Sequence, residues 1–553
     1  MRNLSLTVAV PILVFVLSAL SPFESGASGD DFTLKYGLTP ATGSWGDQGD
    51  GSFINPILNS NYPDSDVEEF AGKWYMISSK GLYMKGMTVL ESEDLVNWEI
   101  IGGIVDSLTW KTSEGVWAGD LVRHNKEWLC YFIDFDKGLF VCKTDDIRGK
   151  WSKPYLILEK KGMTDPAVFW DYDNGQAYLL CNYRIEQQGN KRIYHQRLFK
   201  LSWDGMSLLD DGKDIYVEEG AEAAKIYKIK GTYYIFLSEW LTDNEGRKLD
   251  RRQVVLRSKN LYGPYEKKIV LEKGNGTDRS CCQGSLIQAP DSSWWYMHQL
   301  VQSKNSYEGR PQCLIPVVWE NGWPLMGEDP DGNGIGNIVW KCRKPVQGKS
   351  IKMVQTDDDF SSPTLSPHWL WDGNPICGKW SLTARKGYLR LYSVRPKNPD
   401  RKYQSLPNKL LQRKMGKGRD TVTVKMSVAG MAEGQISGLV TTGYSFLSFG
   451  VQCTGGDMRI SMELPDKVMT GNVVEGEFVW LKLIASENKI KFEYSVDGRA
   501  YERFGPEYTM ETRGFNGIFI GLFSMNDNES GYADFDWFQY DYDGPKSVFL
   551  VQK

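Results

Sequence analysis

Histidine is scarce in this chain: four in 553 residues (His124, His195, His298 and His368), never at HExxH spacing. That leaves little from which to build a histidine-rich metal site or a Ser-His-Asp triad. Cysteine is thin too. The nine cysteines are odd in number and scattered; Cys281 and Cys282 are adjacent, and no CxxC pair occurs. Neither a disulfide framework nor a zinc site is expected from such spacing. An excess of one charge is missing as well. Lys+Arg of 65 against Asp+Glu of 70 leaves −5, which speaks against a nucleic-acid binder that works by neutralising phosphates. After the first twenty residues no apolar stretch approaches the roughly 18 residues that suggest a membrane span. Helical periodicity is not evident.

The beginning of the chain has the parts of a secretory signal. Arg2 supplies a positive start, Leu6 to Leu20 is a mostly apolar run broken by Pro11, and Ser25-Gly26-Ala27 offers small residues for cleavage. Residues 1–27 are therefore expected to be a signal peptide, and the mature protein to be secreted or periplasmic with no membrane span. An uncleaved anchor is the alternative, disfavoured by the shortness of the run.

What is abundant is aromatic side chain and glycine: 13% Phe, Trp and Tyr, with 20 Trp, and 56 Gly. This suits all-β packing, flat sugar-binding surfaces and many tight turns. An internal repeat organises them. Five times a polar or glycine turn leads into an aromatic-rich strand: Gly72-Lys-Trp-Tyr-Met-Ile77, Asn125-Lys-Glu-Trp-Leu-Cys-Tyr-Phe132, Asn174-Gly-Gln-Ala-Tyr-Leu-Leu180, Lys230-Gly-Thr-Tyr-Tyr-Ile-Phe236 and Asp291-Ser-Ser-Trp-Trp-Tyr-Met297. Each is preceded by a short strand starting near Asp64, Trp117, Asp165, Glu222 or Gln283. Five small antiparallel sheets of this kind predict a five-bladed β-propeller over residues 40–345. An ordinary sandwich with coincidental turns is the alternative. A polar linker at 346–356 follows, and the repeat stops. Period-two alternation then takes over, with Val422, Val424, Met426 and Val428 in one run and Ile490, Phe492, Tyr494 and Val496 in another. Turn signals at Asp497-Gly498 and Asn516-Gly517 complete the picture of a second all-β domain, a β-sandwich over 357–545.

In a propeller the innermost strands converge on the axis, so residues that open them can meet on one face. Asp64, Asp165 and Glu222 stand at that position in three units, and Trp117 in a fourth. Three carboxylates beside a tryptophan at a funnel mouth suit glycoside hydrolysis. One acid must be protonated to help the leaving group depart, and another ionised to activate water or attack the sugar. A third negative charge nearby helps keep the acid's proton on. Glu222 is the candidate for that acid, because Ala221, Ala223 and Ala224 offer no local charge partner. Taken singly, an Asp beside Pro is more often a turn former. The loop Asp329-Pro-Asp331-Gly-Asn333-Gly334 fits the first half of an EF-hand, but Trp340 stands at the twelfth position and Pro330 sits inside, so it is read as a plain turn.

These motifs resemble glycoside hydrolase family 43, the five-bladed propeller glycosidases acting on arabinose- and xylose-containing polysaccharides. The similar stretches are Asn55-Pro-Ile-Leu58 with Tyr62-Pro-Asp-Ser65, Gly115-Val-Trp-Ala118, Thr164-Asp-Pro-Ala-Val-Phe169, Glu222-Ala-Ala-Lys-Ile-Tyr-Lys228, and Gly309-Arg-Pro-Gln-Cys-Leu-Ile-Pro-Val-Val-Trp319 with Gly322-Trp-Pro-Leu325. The region from Trp369 to Phe538 is similar to the concanavalin-like sandwich appended in one branch of the family. The resemblance implies Asp64 as general base, Glu222 as general acid, Asp165 as the residue that tunes and orients the acid, and Arg310 in the sugar pocket, with Trp117 as a wall or stacking platform. It implies hydrolysis with inversion, for which the two reacting carboxyl groups should lie about 6.5–9.5 Å apart.

The chain departs from the family pattern at two places. Asp66 adds an acid on the strand of Asp64 and rivals it. Cys282 stands where many members place a histidine beside an axial metal ion, and a thiol is a poor ligand for a hard cation. No metal and no cofactor are therefore expected. The expected function is that of a secreted exo-acting α-L-arabinofuranosidase or β-D-xylosidase working on plant cell-wall oligosaccharides or polysaccharides. The alternatives are an exo-galactanase on the same fold and a non-catalytic glycan-binding propeller.

Overall fold

The computed structural model describes residues 36–39 and 45–549, apart from 243–244, 246–247, 274–278, 302–306, 399–401 and 513–514. The expected signal segment, 1–27, lies outside the described residues. The described chain is all-β, with one helical turn at Lys402–Ser405.

Five four-stranded antiparallel sheets follow one another along the chain. Their first strands are Asp66–Phe70, Gly119–His124, Thr164–Asp171, Glu222–Ile229 and Ser280–Gln288. Each touches the first strand of the next sheet, and the fifth touches the first, so the ring closes into a five-bladed propeller. The repeat seen in the sequence is the hairpin between first and second strands. Its turns are left-handed at both central residues in Ala71-Gly72, Asn125-Lys126 and Lys230-Gly231, as the twist of a tight hairpin requires.

At the opposite end of the first strands the backbone does something else. Asp64, Asp165, Ala223 and Gln283 have φ of 55°, 52°, 59° and 57°, and the ladder slips between Thr164 and Ala167, Glu222 and Lys225, and Cys282 and Gly284. Such bulges turn a side chain out of the sheet, at a cost of about 1–3 kcal/mol for a non-glycine residue held there. Glu222 is thus not strictly equivalent to Asp64 and Asp165: it stands one residue before the left-handed position, in register with Cys282 of blade five.

Blades three and four carry unusually long hairpins. Thr164 pairs with Asn182, yet the strands Gln176–Gln188 and Lys191–Leu201 continue past that point. Likewise Glu222 pairs with Ser238, and Thr232–Thr242 with Lys248–Ser258 runs on beyond. Both extensions rise on the face where Asp165 and Glu222 open. Their tips meet where Asn190 Nδ2 donates to the Glu245 carbonyl at 3.0 Å.

The second domain stacks an eight-stranded on a seven-stranded antiparallel sheet. Val422, Val424, Met426 and Val428 all turn inward, as do Ile490, Phe492 and Tyr494, each side chain of this size contributing about 1.5–3 kcal/mol by leaving water. Val496 departs from the expected alternation: its strand ends at Ser495, and Val496 is exposed in the turn that Asp497 closes. The two domains interlock. Tyr83–Met84 of blade one pairs with Leu370–Asp372 as the edge of the eight-stranded sheet. Arg413 Nε donates to the Asn61 carbonyl at 2.6 Å and Nη2 to Thr88 Oγ1 at 3.1 Å, and Ser60 Oγ donates to the Lys414 carbonyl at 2.8 Å.

Candidate active site

The left-handed backbone at Asp64 turns its carboxylate toward Arg310 and Ser79. Its Oδ1 accepts from Arg310 Nη1 at 2.6 Å and its Oδ2 from Ser79 Oγ at 2.5 Å. Each oxygen keeps a second lone pair. The Asp64 N–H donates to Gln299 Oε1 at 2.9 Å; Gln299 Nε2 donates to Gln283 Oε1 at 2.6 Å; and Gln283 Nε2 reaches Asp165 Oδ1 at 3.4 Å. Two glutamine amides therefore tie blade one to the acid of blade three. Burial, and next the charge of Asp64, push the Asp165 carboxyl above its ordinary range, against the pull of Arg251 and Lys225.

Glu222 carries an ion pair that local sequence does not reveal. The Arg251 guanidinium, from the far strand of blade four's long hairpin, contacts its Oε1. The sequence neighbours Ala221, Ala223 and Ala224 offer Glu222 no local charge partner, as expected, but Arg251 supplies one from across the blade. Arg251 lies over the Trp240 ring at 4.5 Å and beside the buried Cys282 thiol, which burial pushes up and Arg251 pulls down. The glutamine chain links Asp64 to Asp165, and Arg251, the partner of Glu222, lies against Cys282 next to Gln283, so the three carboxylates stand around the same end of the propeller axis. None of the three is fully buried.

The expected binding residues lie around them. Gly81 pairs with Val116, which places Trp117 next to the segment carrying Ser79; its ring stacks on Phe135 at 5.0 Å. Arg310 is held by its N–H to Asn61 Oδ1 at 3.0 Å, and its guanidinium lies 5.4 Å from the ring of Phe515, a sandwich residue. The sandwich loop is pressed against blade five. Gly517, at φ +68°, leaves room for only a hydrogen where a Cβ would meet Gly309 N at 2.6 Å, and Ile518 N donates to the Tyr307 carbonyl at 2.9 Å. Sequence reasoning missed Arg251, Ser79, Gln283, Gln299 and Phe515. Phe515 left a trace as an aromatic residue next to the Asn516-Gly517 turn, and Gln283 as the residue that opens the fifth unit's first strand.

Asp66, the rival acid, points elsewhere. It accepts from Leu121 N at 2.7 Å, Ser285 Oγ at 2.9 Å and Lys225 Nζ at 2.9 Å. Lys225 also pairs with Asp120, which accepts from Val168 N at 2.8 Å. Residues of blades one to five thus converge on one buried lysine at the axis, and Asp66 is consumed there. A charged residue in the otherwise apolar Ala223-Ala224-Lys225-Ile226 was the signal for it.

Fold and site together define a carbohydrate-cleaving enzyme built on a five-bladed propeller. The model of the family described as "Glycosyl hydrolases family 43" matches residues 53–324, and that of the "Beta xylosidase C-terminal Concanavalin A-like domain" matches 357–541. A protein of Formosa agariphila named "Beta-xylosidase" is 44% identical over 97% of this chain and 98% of its own length. A "Putative beta-xylosidase" of Xylanibacter ruminicola is 35% identical over 87% and 88%, and the "Non-reducing end alpha-L-arabinofuranosidase BoGH43B" of Bacteroides ovatus 26% over 88% and 94%. Among solved structures, the GH43 BlXynB protein of Bacillus licheniformis superposes with a TM-score of 0.76 at 23% identity, covering 88% of this chain and 99% of that one. The chain belongs to glycosyl hydrolase family 43 and is a glycosidase.

The axial metal implied by the resemblance does not suit these residues. At the axis the Lys225 ammonium lies between Asp66 and Asp120, where a cation would be repelled. Blade five contributes Ser285 to the axis, while Cys282 lies against Arg251 instead. Among the described residues no group of three or more His, Cys, Asp or Glu could hold a metal ion. In the loop at Asp329, the carboxylate accepts from Asn333 N at 3.1 Å and Gly334 N at 2.8 Å, as in an ordinary turn.

Proposed function

We propose that the protein is an exo-acting β-D-xylosidase that works by inversion, with Asp64 as base, Glu222 as acid and Asp165 as the residue that orients and tunes the acid. The observation that carries this reading is the convergence of these three carboxylates at the mouth of one propeller, in a chain 44% identical over nearly its whole length to a protein named a β-xylosidase. Asp64 is anchored on one side of each oxygen by Arg310 and Ser79, which fixes the carboxylate in place and leaves lone pairs for a water proton. Glu222 delivers its proton to the glycosidic oxygen once the sugar has displaced Arg251, since an adjacent guanidinium favours the ionised form of a carboxyl group. Arg310 serves the sugar hydroxyls with its remaining donors, and Trp117 forms a wall of the pocket.

The kinship with an α-L-arabinofuranosidase of Bacteroides ovatus supports that activity as the second reading. Residues 1–27 are read as a secretory signal, which places the enzyme outside the cytoplasm with plant cell-wall oligosaccharides as substrate. Hydrolysis of aryl β-D-xylosides, α-L-arabinofuranosides and galactosides separates the sugars, and proton NMR of the first-formed product separates the mechanisms. Release of β-xylose as the first anomer from a β-xyloside would show retention and sink the assignment of Asp64 as base.

A further inference from the structure

Beside the funnel lies a second concave site that the proposed reaction does not use. A cavity of about 390 Å³ opens between the turn after blade two's second strand and the extended hairpin of blade three, a volume within the range of about 300–1,000 Å³ usual for small-molecule sites. Its wall includes Phe135, Lys161, Arg184, Gln187 and Arg192, and no carboxylate lines it. Phe135 is the ring on which Trp117 stacks, so the cavity borders the wall of the funnel on that side. On the other side the Arg192 carbonyl accepts from Gly220 N at 3.1 Å. Gly220 packs directly on Trp240, the ring beneath Arg251. One layer of side chains thus separates the cavity from Trp117 and from the partner of Glu222.

The three cations are unequally satisfied. Lys161 pairs with Asp136 at 2.9 Å, and Arg184 with Glu186 at 3.2 Å and Asp214 at 3.5 Å. Arg192 makes no ion pair among the described residues; its guanidinium lies 5.6 Å from the Tyr194 ring. With Lys161 and Arg184 paired, Arg192 is the cation of the lining left to an incoming anion, and the forked donors of an arginine suit a carboxylate or sulfate oxygen pair. A neutral sugar would gain little from such a lining.

We propose that this cavity is a subsite for an anionic group carried on the sugar chain next to the cleaved residue, either the carboxylate of a uronic acid branch or a sulfate ester. This deepens the glycosidase reading and rests on it for the position of the chain. The test uses a neutral xylo-oligosaccharide, the same chain with a glucuronyl branch, and the same chain with a sulfate ester. The wild type and the Lys161→Gln/Arg192→Gln variant are compared at low and high salt. Both side chains are exposed, so the fold should tolerate the change. The wild type should prefer at least one charged substrate, and the variant should lose about tenfold in kcat/KM on it, equivalent to about 1.4 kcal/mol, while the neutral chain changes less than about twofold. Which of the two anions is preferred identifies the source. An unchanged ratio of charged to neutral kcat/KM in the variant overturns the proposal, as does an equal fall on both. Calorimetry on Glu222→Gln supplies a readout independent of turnover. Binding of the charged chain no tighter than the neutral one rejects the subsite, whereas charged-chain binding by an enzyme that cleaves no glycoside rejects the proposed function alone.

Discussion

Two clusters of opposite charge lie two residues apart on blade one. At the axis, Asp66 and Asp120 bracket Lys225; at the funnel mouth, Asp64 meets Arg310 and Glu222 meets Arg251. Both are ion-pair networks in a largely apolar ring, and charge alone does not tell them apart. Hydrogen-bond saturation does. The axial acids also take backbone N–H and hydroxyl donors from other blades, and only a few per cent of each is exposed. The acids of the funnel take one or two donors each and keep an open side, 11% of the Asp64 side chain and 19% of that of Glu222. A network that is complete holds a fold together; one left incomplete can bind something else.

The sharpest way to break this contrast is to neutralise one acid of each cluster. Glu222→Gln or Asp64→Asn should lower kcat by about 10²–10⁴-fold, the usual worth of a positioned acid or base, with the thermal midpoint nearly unmoved; near-wild-type turnover in either would remove that residue from the mechanism. Lys225→Met should do the reverse. It strands two buried carboxylates, costing about 3–5 kcal/mol in a denaturant titration, and the Asp66→Asn/Lys225→Met pair should recover part of the loss. Phe515→Ala tests whether the sandwich reaches the sugar: KM should rise about fivefold, roughly 1 kcal/mol of aromatic contact, with kcat little changed.

A smaller effect sharpens the electrostatics. Burial and Asp64 raise the Asp165 carboxyl, so removing the Asp64 charge should lower its titration midpoint, read from the carboxyl carbon shift in NMR. An acid raised on folding lends stability that is fully present below its unfolded value near 3.9 and is lost as pH climbs through the folded value. Asp64→Asn should narrow that window of loss; an upward shift would contradict the charge coupling. The smallest effect expected is none: exhaustive chelation should leave activity unchanged, because a lysine already supplies the axial charge.

Much of this was legible before folding. The turn-plus-aromatic strand motif located the five first hairpins, since alternation and tight-turn chemistry are local properties of the chain. Asp64, Asp165 and Glu222 were readable because each opens a repeat unit. Arg251 was not, because it reaches Glu222 from 29 residues away across a hairpin whose length no turn signal announced. Nor was the fate of Asp66: alternation places it further along the same strand, but only closure of the ring brings Lys225 to meet it.

The strand Tyr83–Met84 has a practical consequence. Removing everything beyond 346–356 would strip this two-residue edge of its partner at Leu370–Asp372, leave the Asn61 carbonyl without Arg413, and bare the apolar flank that blade one shares with the sandwich. A propeller transplanted alone into another scaffold would carry a sticky seam, so engineering of this enzyme should treat both modules as a single exchangeable part.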